Sequence, residues 1–394
     1  MKRAINIICK VLLIFIFSPC LVAQKEGIKD LNFFLNKSYE LKLDIRSSNF
    51  SNTMYYKEIK GQPSLLLYNE KTRTIDFIDI KDGGKRYTSV KIPGSGEEGV
   101  IHPNGFFPVS DTSFIIPDVD FRLKVLDYQG KLVEEIPYDT IQDFTPYIHI
   151  VSSTAMGNSI FQTSIGMYMS HISNINDYNQ GKSASDYIVA YFMDWENRKI
   201  RLTNFRFPDE YWDTIRRSME FAWTYNNKER RFIIMPFDAP HILEFEEETD
   251  SLSRMIHLDC TTCLPFGNDG PLEWKLYSTS QFTQRRRDHA ENLNIIYDPY
   301  RQLYYRLIWP GGVFHTDNPV QFMSGRMYPR FVLQVYDEDW QLKSSFLPEW
   351  NKYGIGQCFV APDGFHMLVN HPDNPYKREG QLEVDVFDFS IFKK

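Results

Sequence analysis

The sequence carries no excess of positive charge and few cysteines. Its 44 Lys and Arg are set against 51 Asp and Glu, a formal net charge of −7 over 394 residues. A general nucleic-acid binder would present a basic field, so that class is not expected. Of five Cys, only Cys260, Cys263 and Cys358 lie beyond the N-terminal segment. The pair "CTTC" has no second Cys pair or His pair at zinc spacing, so no metal centre is expected. Turn residues, not a helix, follow it in "LPFGNDG", so nothing there would activate a thiolate. A loop staple or two idle thiols is the expectation. There is no Gly-x-Ser-x-Gly elbow, no His-Glu-x-x-His and no EF-hand loop. "GSGEEG" (94–99) has the glycines of a phosphate loop but not its Lys-Ser/Thr ending, so no cofactor is expected.

Long apolar runs are also missing beyond the first 23 residues, so no transmembrane span is expected. Those 23 residues read as a secretory signal peptide. Lys2, Arg3 and Lys10 precede and flank the short apolar run "VLLIFIF", and "SPCLVA" supplies a helix breaker and small residues. Cleavage after Ala23 would release a chain beginning at Gln24, soluble in the periplasm or at the cell surface. A competing route lipidates Cys20 and anchors the protein to a membrane.

What is abundant is aromatic: 23 Tyr and 30 Phe, with 15% aromatics overall. Aromatic and β-branched residues favour strands, so the chain leans all-β. A hairpin of two apolar strands recurs six times: 54–69, 105–118, 148–164, 220–237, "ENLNIIYDPYRQLYYRLIWPGG" at 291–312, and 357–370. A second hairpin with an acidic or Gly-rich turn follows each of the first five, at 74–92, 122–136, 187–204, 241–258 and 331–347. The sixth ends after one strand, "QLEVDVFDFSIFKK". Naming the strands of each unit A to D, the missing D strand has a candidate in "YELKLDI" (39–45). Pairing the two would close a ring and remove exposed sheet edges. The expected fold is a six-bladed β-propeller of four-stranded antiparallel blades filling 24–394 as one domain. A seven-bladed propeller or a β-sandwich is the alternative.

The stretches "GVIHPNGFFPVSDTSFIIPD", "DYQGKLVEEI", "NIIYDPYRQLYYRLI" and "FVAPDGFHMLVN" resemble a family of exported or lipid-anchored Bacteroidetes proteins classed as a domain of unknown function and similar to six-bladed propellers. The most specific part of the likeness is the hairpin from Tyr297 to Arg306. The resemblance implies fold and address and carries over no catalytic residue.

Antiparallel strands place every A–B and C–D turn on one face and every B–C and D–A connection on the other. All the long connections are B–C or D–A, and long loops in a compact domain are usually functional. The D–A loop 260–290 and the B–C loop 309–329 both leave unit five. They carry Trp274, Arg285, Arg286, Arg287, His289, Trp309, His315 and Arg326. Trp offers a flat apolar face, and Arg offers planar donors suited to carboxylates or phosphates. These eight are the candidate ligand contacts, expected near one another at the mouth of the channel. The expected function is non-catalytic binding of an envelope protein, peptide or acidic glycan. The alternative is a carbohydrate-active envelope enzyme, hydrolase or lyase, with acids converging from different blades.

Overall fold

The computed structural model describes residues 28–43, 50–81, 84–94, 96, 99–141, 149–172, 189–208, 220–267, 284, 287–312, 328, 330–375 and 380–393. A 3₁₀ turn at Leu31–Phe34 leads into strand β1 (Leu35–Lys42). Array one follows as β2 (Met54–Ile59), β3 (Gln62–Asn69), β4 (Thr74–Asp79) and β5 (Lys85–Lys91). Array two is β6 (Phe107–Pro108), β7 (Ser113–Pro117), β8 (Arg122–Asp127) and β9 (Leu132–Pro137). Array three contains β10 (His149–Ile150), β11 (Phe161–Gln162), β12 (Met167–Ile172), β13 (Ala190–Asp194) and β14 (Lys199–Leu202). Array four is β15 (Phe221–Asn226), β16 (Arg231–Pro236), β17 (His241–Glu246) and β18 (Leu252–His257). Array five is β19 (Glu291–Asp298), β20 (Leu303–Trp309), β21 (Val332–Asp337) and β22 (Leu342–Phe346). Array six is β23 (Cys358–Ala361), β24 (Gly364–Val369) and β25 (Gln381–Phe387), with β1 as its fourth strand.

Polar turn residues make the hairpins. Asn226 Oδ1 accepts from the backbone N–H of Lys228 and Glu229, and Asp298 Oδ1 accepts from Tyr300 and Arg301. Asp194 does the same for Glu196 and Asn197. Each side chain stands in for a backbone carbonyl and holds the chain through its reversal. A register shift recurs in the C–D pair of arrays one, two, four and five, at Phe77/Ile78, Val125/Leu126, Glu244/Phe245 and Val335/Tyr336. Such bulges increase the local twist.

Buried side chains gather between arrays, each seam joining one array to the next. Phe77 meets Phe114 between one and two, at 5.8 Å between ring centroids. Met167 and Tyr191 of array three join Ile115 and Val125 of array two. Tyr168 meets Phe232 between three and four at 4.4 Å. Ile233 and Met235 of array four pack with Ile295 and Tyr304 of array five. Tyr305 meets Phe365 between five and six at 4.4 Å. Leu368 and Val384 of array six return to Leu65 and Ile78 of array one. The arrays thus form a closed, propeller-like cycle, all-β as expected. The closing strand is β1, antiparallel to β25 with Tyr39 opposite Val384. It begins at Leu35, four residues before the expected 39, because the polar "LNKS" also pairs.

The hairpin from Tyr297 to Arg306 clamps a seam. Asp298 accepts from Tyr305 Oη at 2.8 Å and from Arg301 Nη1 at 3.2 Å. Arg301 continues to the carbonyls of Ala361 and Pro362 in array six. Tyr304 stacks on Trp340 at 4.2 Å.

One expectation is corrected. The stretch 148–164 is not an A–B hairpin. Both β10 and β11 occupy the inner position of array three and pair with β12, which the sequence pattern had left in a loop. The A–B turn is the shorter Thr163–Gly166, closed by Thr163 N–H to Gly166 O at 2.8 Å. From Val151, still bonded to Ser170 O of β12, the chain leaves the sheet up to residue 160 and reaches residues in or just before the inner strand of every other array. Ala155 N–H donates to Asn52 O, and Met54 N–H donates to Thr154 Oγ1. Ser152 N–H donates to Asn104 O, and Ser152 O accepts from Thr53 Oγ1 at 2.5 Å. Trp223 N–H donates to Gly157 O at 2.8 Å, and Asn294 Nδ2 donates to Thr154 O at 3.0 Å. Against array six, the segment lies so close that a β-carbon on Gly356 would stand 1.9 Å from Ala155 O. Most of these partners precede or begin an inner strand. The segment is therefore a hub at the end of the axis where the D–A connections enter. Apolar periodicity could not reveal it, because "SSTAMGNS" spends its polar groups on backbone atoms of other arrays.

Candidate functional site

The site is built on array five from Arg306 upward. Arg306 is wholly buried in β20, and its hydrogen-bond partners are neutral. Nε and Nη2 donate to Asn292 Oδ1 at 2.9 and 2.7 Å, and Nη1 donates to Leu258 O and Gln334 Oε1. Burial pushes its pKa down, against a smaller opposing pull from Tyr336. Gln334 Nε2 in turn donates to Asp259 O. Arg306 thereby pins the point where the D–A connection leaves array four.

The connection then turns through a Cys260–Cys263 disulfide, which decides between the staple and the idle thiols that the sequence left open. Beyond it, Leu264 N–H donates to Pro310 O at 2.8 Å, and Phe266 bridges to Ala290. The far end of the same connection meets the start of the B–C connection, where Gly312 N–H donates to Arg287 O at 2.8 Å. The ends of the two long loops are thus laced together on one face, as the strand directions require. Cys358 is buried and takes no part; burial pushes its thiol up to about 12.

Arg287 is half-buried, and its Nε has no hydrogen-bond partner among the described residues. Across Gly312, whose N–H donates to the Arg287 carbonyl, Arg330 lies just before β21, with Nη2 3.9 Å from where a β-carbon on Gly312 would stand. Its guanidinium sits 5.2 Å from the ring centroid of Trp350, on the D–A connection to array six. Arg330 Nε also has no partner among the described residues. Trp350 is 40% exposed. The Arg330 guanidinium and a solvent-facing aromatic plane thus stand together at one corner, with the Arg287 backbone alongside across Gly312, an arrangement suited to an anionic ligand with an apolar face.

Of the expected contacts, Arg287 and His289 stand at this corner. A β-carbon on Gly311 would lie 3.0 Å from His289 O, which places the His289 backbone beside the start of the B–C connection. Trp309 does not face a ligand as expected. It is 1% exposed and packs on Tyr328 at 5.3 Å, because β20 turns its ring into the seam with array six. Tyr328 is held in turn by Glu291. Trp274, Arg285, Arg286, His315 and Arg326 lie outside the described residues. Arg330 and Trp350 were missed because they are isolated in sequence, at a strand entry and in a short connection. No helix among the described residues is long and apolar enough to cross a membrane, which says nothing of spanning strands.

No curated protein matches the chain. Among solved structures, it is similar to a member of the DUF4221 family from Bacteroides vulgatus ATCC 8482. The TM-score is 0.74 at 17% identity, over 90% of this chain and 97% of that one, a likeness of fold. More distant matches include regucalcin, a calcium-binding protein from Agrobacterium tumefaciens (TM-score 0.45, 11% identity, 88% and 92% covered). Another is BamB from Moraxella catarrhalis (TM-score 0.36, 10% identity, 82% and 70% covered). Scores at that level carry no inference about this chain. The family model described as "Domain of unknown function (DUF4221)" matches residues 30–343, and the chain belongs to that family.

Proposed function

We propose that the protein is an exported, non-catalytic binding module of the cell envelope, organised as a six-bladed propeller, that takes an anionic ligand at the array-five corner of its long-loop face. The observation that carries this reading is the Arg330 guanidinium over the exposed Trp350, beside the point where the two long connections are laced together at Arg287 and Gly312. An acidic glycan fits best, since a sugar ring stacks on an aromatic plane while its carboxylates or sulfates meet guanidinium groups. Export follows from the leader-like residues 1–23, with Gln24 the expected mature N-terminus and Cys20 lipidation the alternative. The enzyme alternative needs acids converging at the axis. At the long-loop end, that position is filled by the backbone of residues 151–160 and by Asn, Ser and Thr side chains bonded to it.

The test is calorimetric titration with oligogalacturonate and with sulfated heparin oligosaccharides. At least one should bind, with affinity falling about tenfold or more in Arg330→Gln and in Trp350→Ala, as loss of a charge-assisted contact of about 1.5–3 kcal/mol requires. Melting temperatures should stay within a few degrees of the parent. Failure of both probes, or affinity unchanged in both variants, would remove the corner from consideration.

A further inference from the structure

His241 opens β17 and His257 closes β18, and the two stand directly opposite in the antiparallel pair. Both therefore sit on the long-loop rim of array four, on the side of the D–A connection to array five. His241 Nε2 and His257 Nδ1 are 3.2 Å apart. The ring centroids are 4.8 Å apart, with the planes at 73°. A ring nitrogen lies about 1.1 Å from its centroid, so a head-on N–H···N bond of that length would separate the centroids by about 5.4 Å. Two imidazoles sharing one ion at about 2.05 Å, with an N–metal–N angle near 100°, would show about 3.2 Å between nitrogens and about 5 Å between centroids. The rings are bent toward each other as a shared ligand would bend them. His257 Nε2 meets Asp259 Oδ1 at 2.9 Å, which fixes the tautomer whose unprotonated Nδ1 faces His241 Nε2.

We propose that His241 and His257 form a two-histidine chelate for a divalent zinc- or copper-type ion, with Asp259 as the carboxylate that orients His257 and water completing the coordination. Imidazole pairs suit this class of ion and not calcium or magnesium, which take oxygen ligands. Arg306 opposes a cation here and Asp259 favours one. The site is separate from the Arg330–Trp350 corner and does not depend on it. It also explains why zinc spacing was not visible in the sequence: the ligands are 16 residues apart and meet only across two strands.

The experiment is titration of the tag-free, metal-stripped protein with ZnCl2 and with CuCl2, followed by calorimetry and by the rise in melting temperature. One saturable site is expected. His257→Gln, a change at an exposed residue, should weaken binding about tenfold or more and abolish the thermal shift. His241→Gln should do the same, and Asp259→Asn should weaken binding by a smaller factor, of the order of tenfold at most. Neither ion binding the parent protein, or His257→Gln binding as tightly as the parent, would overturn the proposal. Should His241→Gln fail to fold, His257→Gln decides the matter.

Discussion

At Gly356 a β-carbon would stand 1.9 Å from the carbonyl oxygen of Ala155, and at Gly105 it would stand 1.8 Å from that of Ser152. Both residues have positive φ, +69° and +95°. Each therefore meets two demands at once: a left-handed backbone, and room for the hub to lie against an inner strand. Gly356→Ala is expected to lower stability by at least about 2 kcal/mol, since backbone strain adds to a clash between rigid main-chain atoms. Chemical denaturation would show it as a lower midpoint with an unchanged slope. A midpoint equal to the parent's would mean that the hub yields at no cost. Buried charge at this scale is structural too. Glu244 is 1% exposed and accepts from Arg254 and from the Trp340 indole across the seam between arrays four and five.

Among elements, β1 stands apart because it completes array six from the other end of the chain. Beyond its ladder with β25, it is tied by Tyr39, whose hydroxyl meets His366 Nδ1 at 3.1 Å, while His366 Nε2 meets Asp363 Oδ1 at 2.9 Å. Lys37 of β1 pairs with the same Asp363 at 2.8 Å. A neutral imidazole serves both neighbours, accepting from Tyr39 and donating to Asp363. Burial lowers the His366 pKa, with Asp363 only partly offsetting it. The unfolded chain takes up this proton below about pH 6.5, while the folded chain resists it. The stabilisation is therefore present above pH 6.5 and declines as pH falls below it. Asp363, held far below the usual carboxylate range by His366 and Lys37, contributes to the loss only at lower pH. His149 and His241 shift in the same direction as His366. The informative measurement is thus a difference: between pH 7.5 and 5, His366→Gln should lose less melting temperature than the parent. Amide protection factors in β1, taken relative to the intrinsic exchange rate at each pH, should fall with acid in the parent. Equal pH slopes in the two proteins would show that His366 stays neutral in both states or does not couple to closure.

For the whole molecule, stability belongs to the seams. Among the described residues, the seam between arrays three and four contains twelve buried apolar side chains and that between six and one contains eleven. At roughly 2 kcal/mol for each fully buried large apolar side chain, opening one seam costs more than the about 5–15 kcal/mol by which a typical domain is stable. A chain ending at residue 208 would leave the array-three side of one seam and the array-one side of the other uncovered. It is expected to aggregate or to lack a near-ultraviolet dichroism signal, and to recover that signal when expressed together with residues 209–394. A half-chain that melts cooperatively on its own would show that the arrays are independent.

Strand content, the order of the hairpins and the need for a closing strand were legible in the sequence because each rests on local information. Alternating side chains mark the two faces of a strand, and Asp, Asn and Gly mark its reversals. The close Cys260–Cys263 spacing was legible too, but not whether the two are joined, and the side of the ring that bears the long loops follows from strand direction alone. Only the tertiary structure decided what depends on distant residues meeting. It moved Trp309 from ligand contact to core, because the twist of β20 turns that ring into a neighbouring array. It placed Arg330 over Trp350 and His241 opposite His257, pairs whose members are 20 and 16 residues apart. It also sent residues 151–160 across the axis, where short polar side chains and bare carbonyls find hydrogen-bond partners on arrays that lie up to 140 residues away along the chain. Periodicity records which way a side chain points relative to its own strand. It holds no record of what stands opposite once the ring has closed.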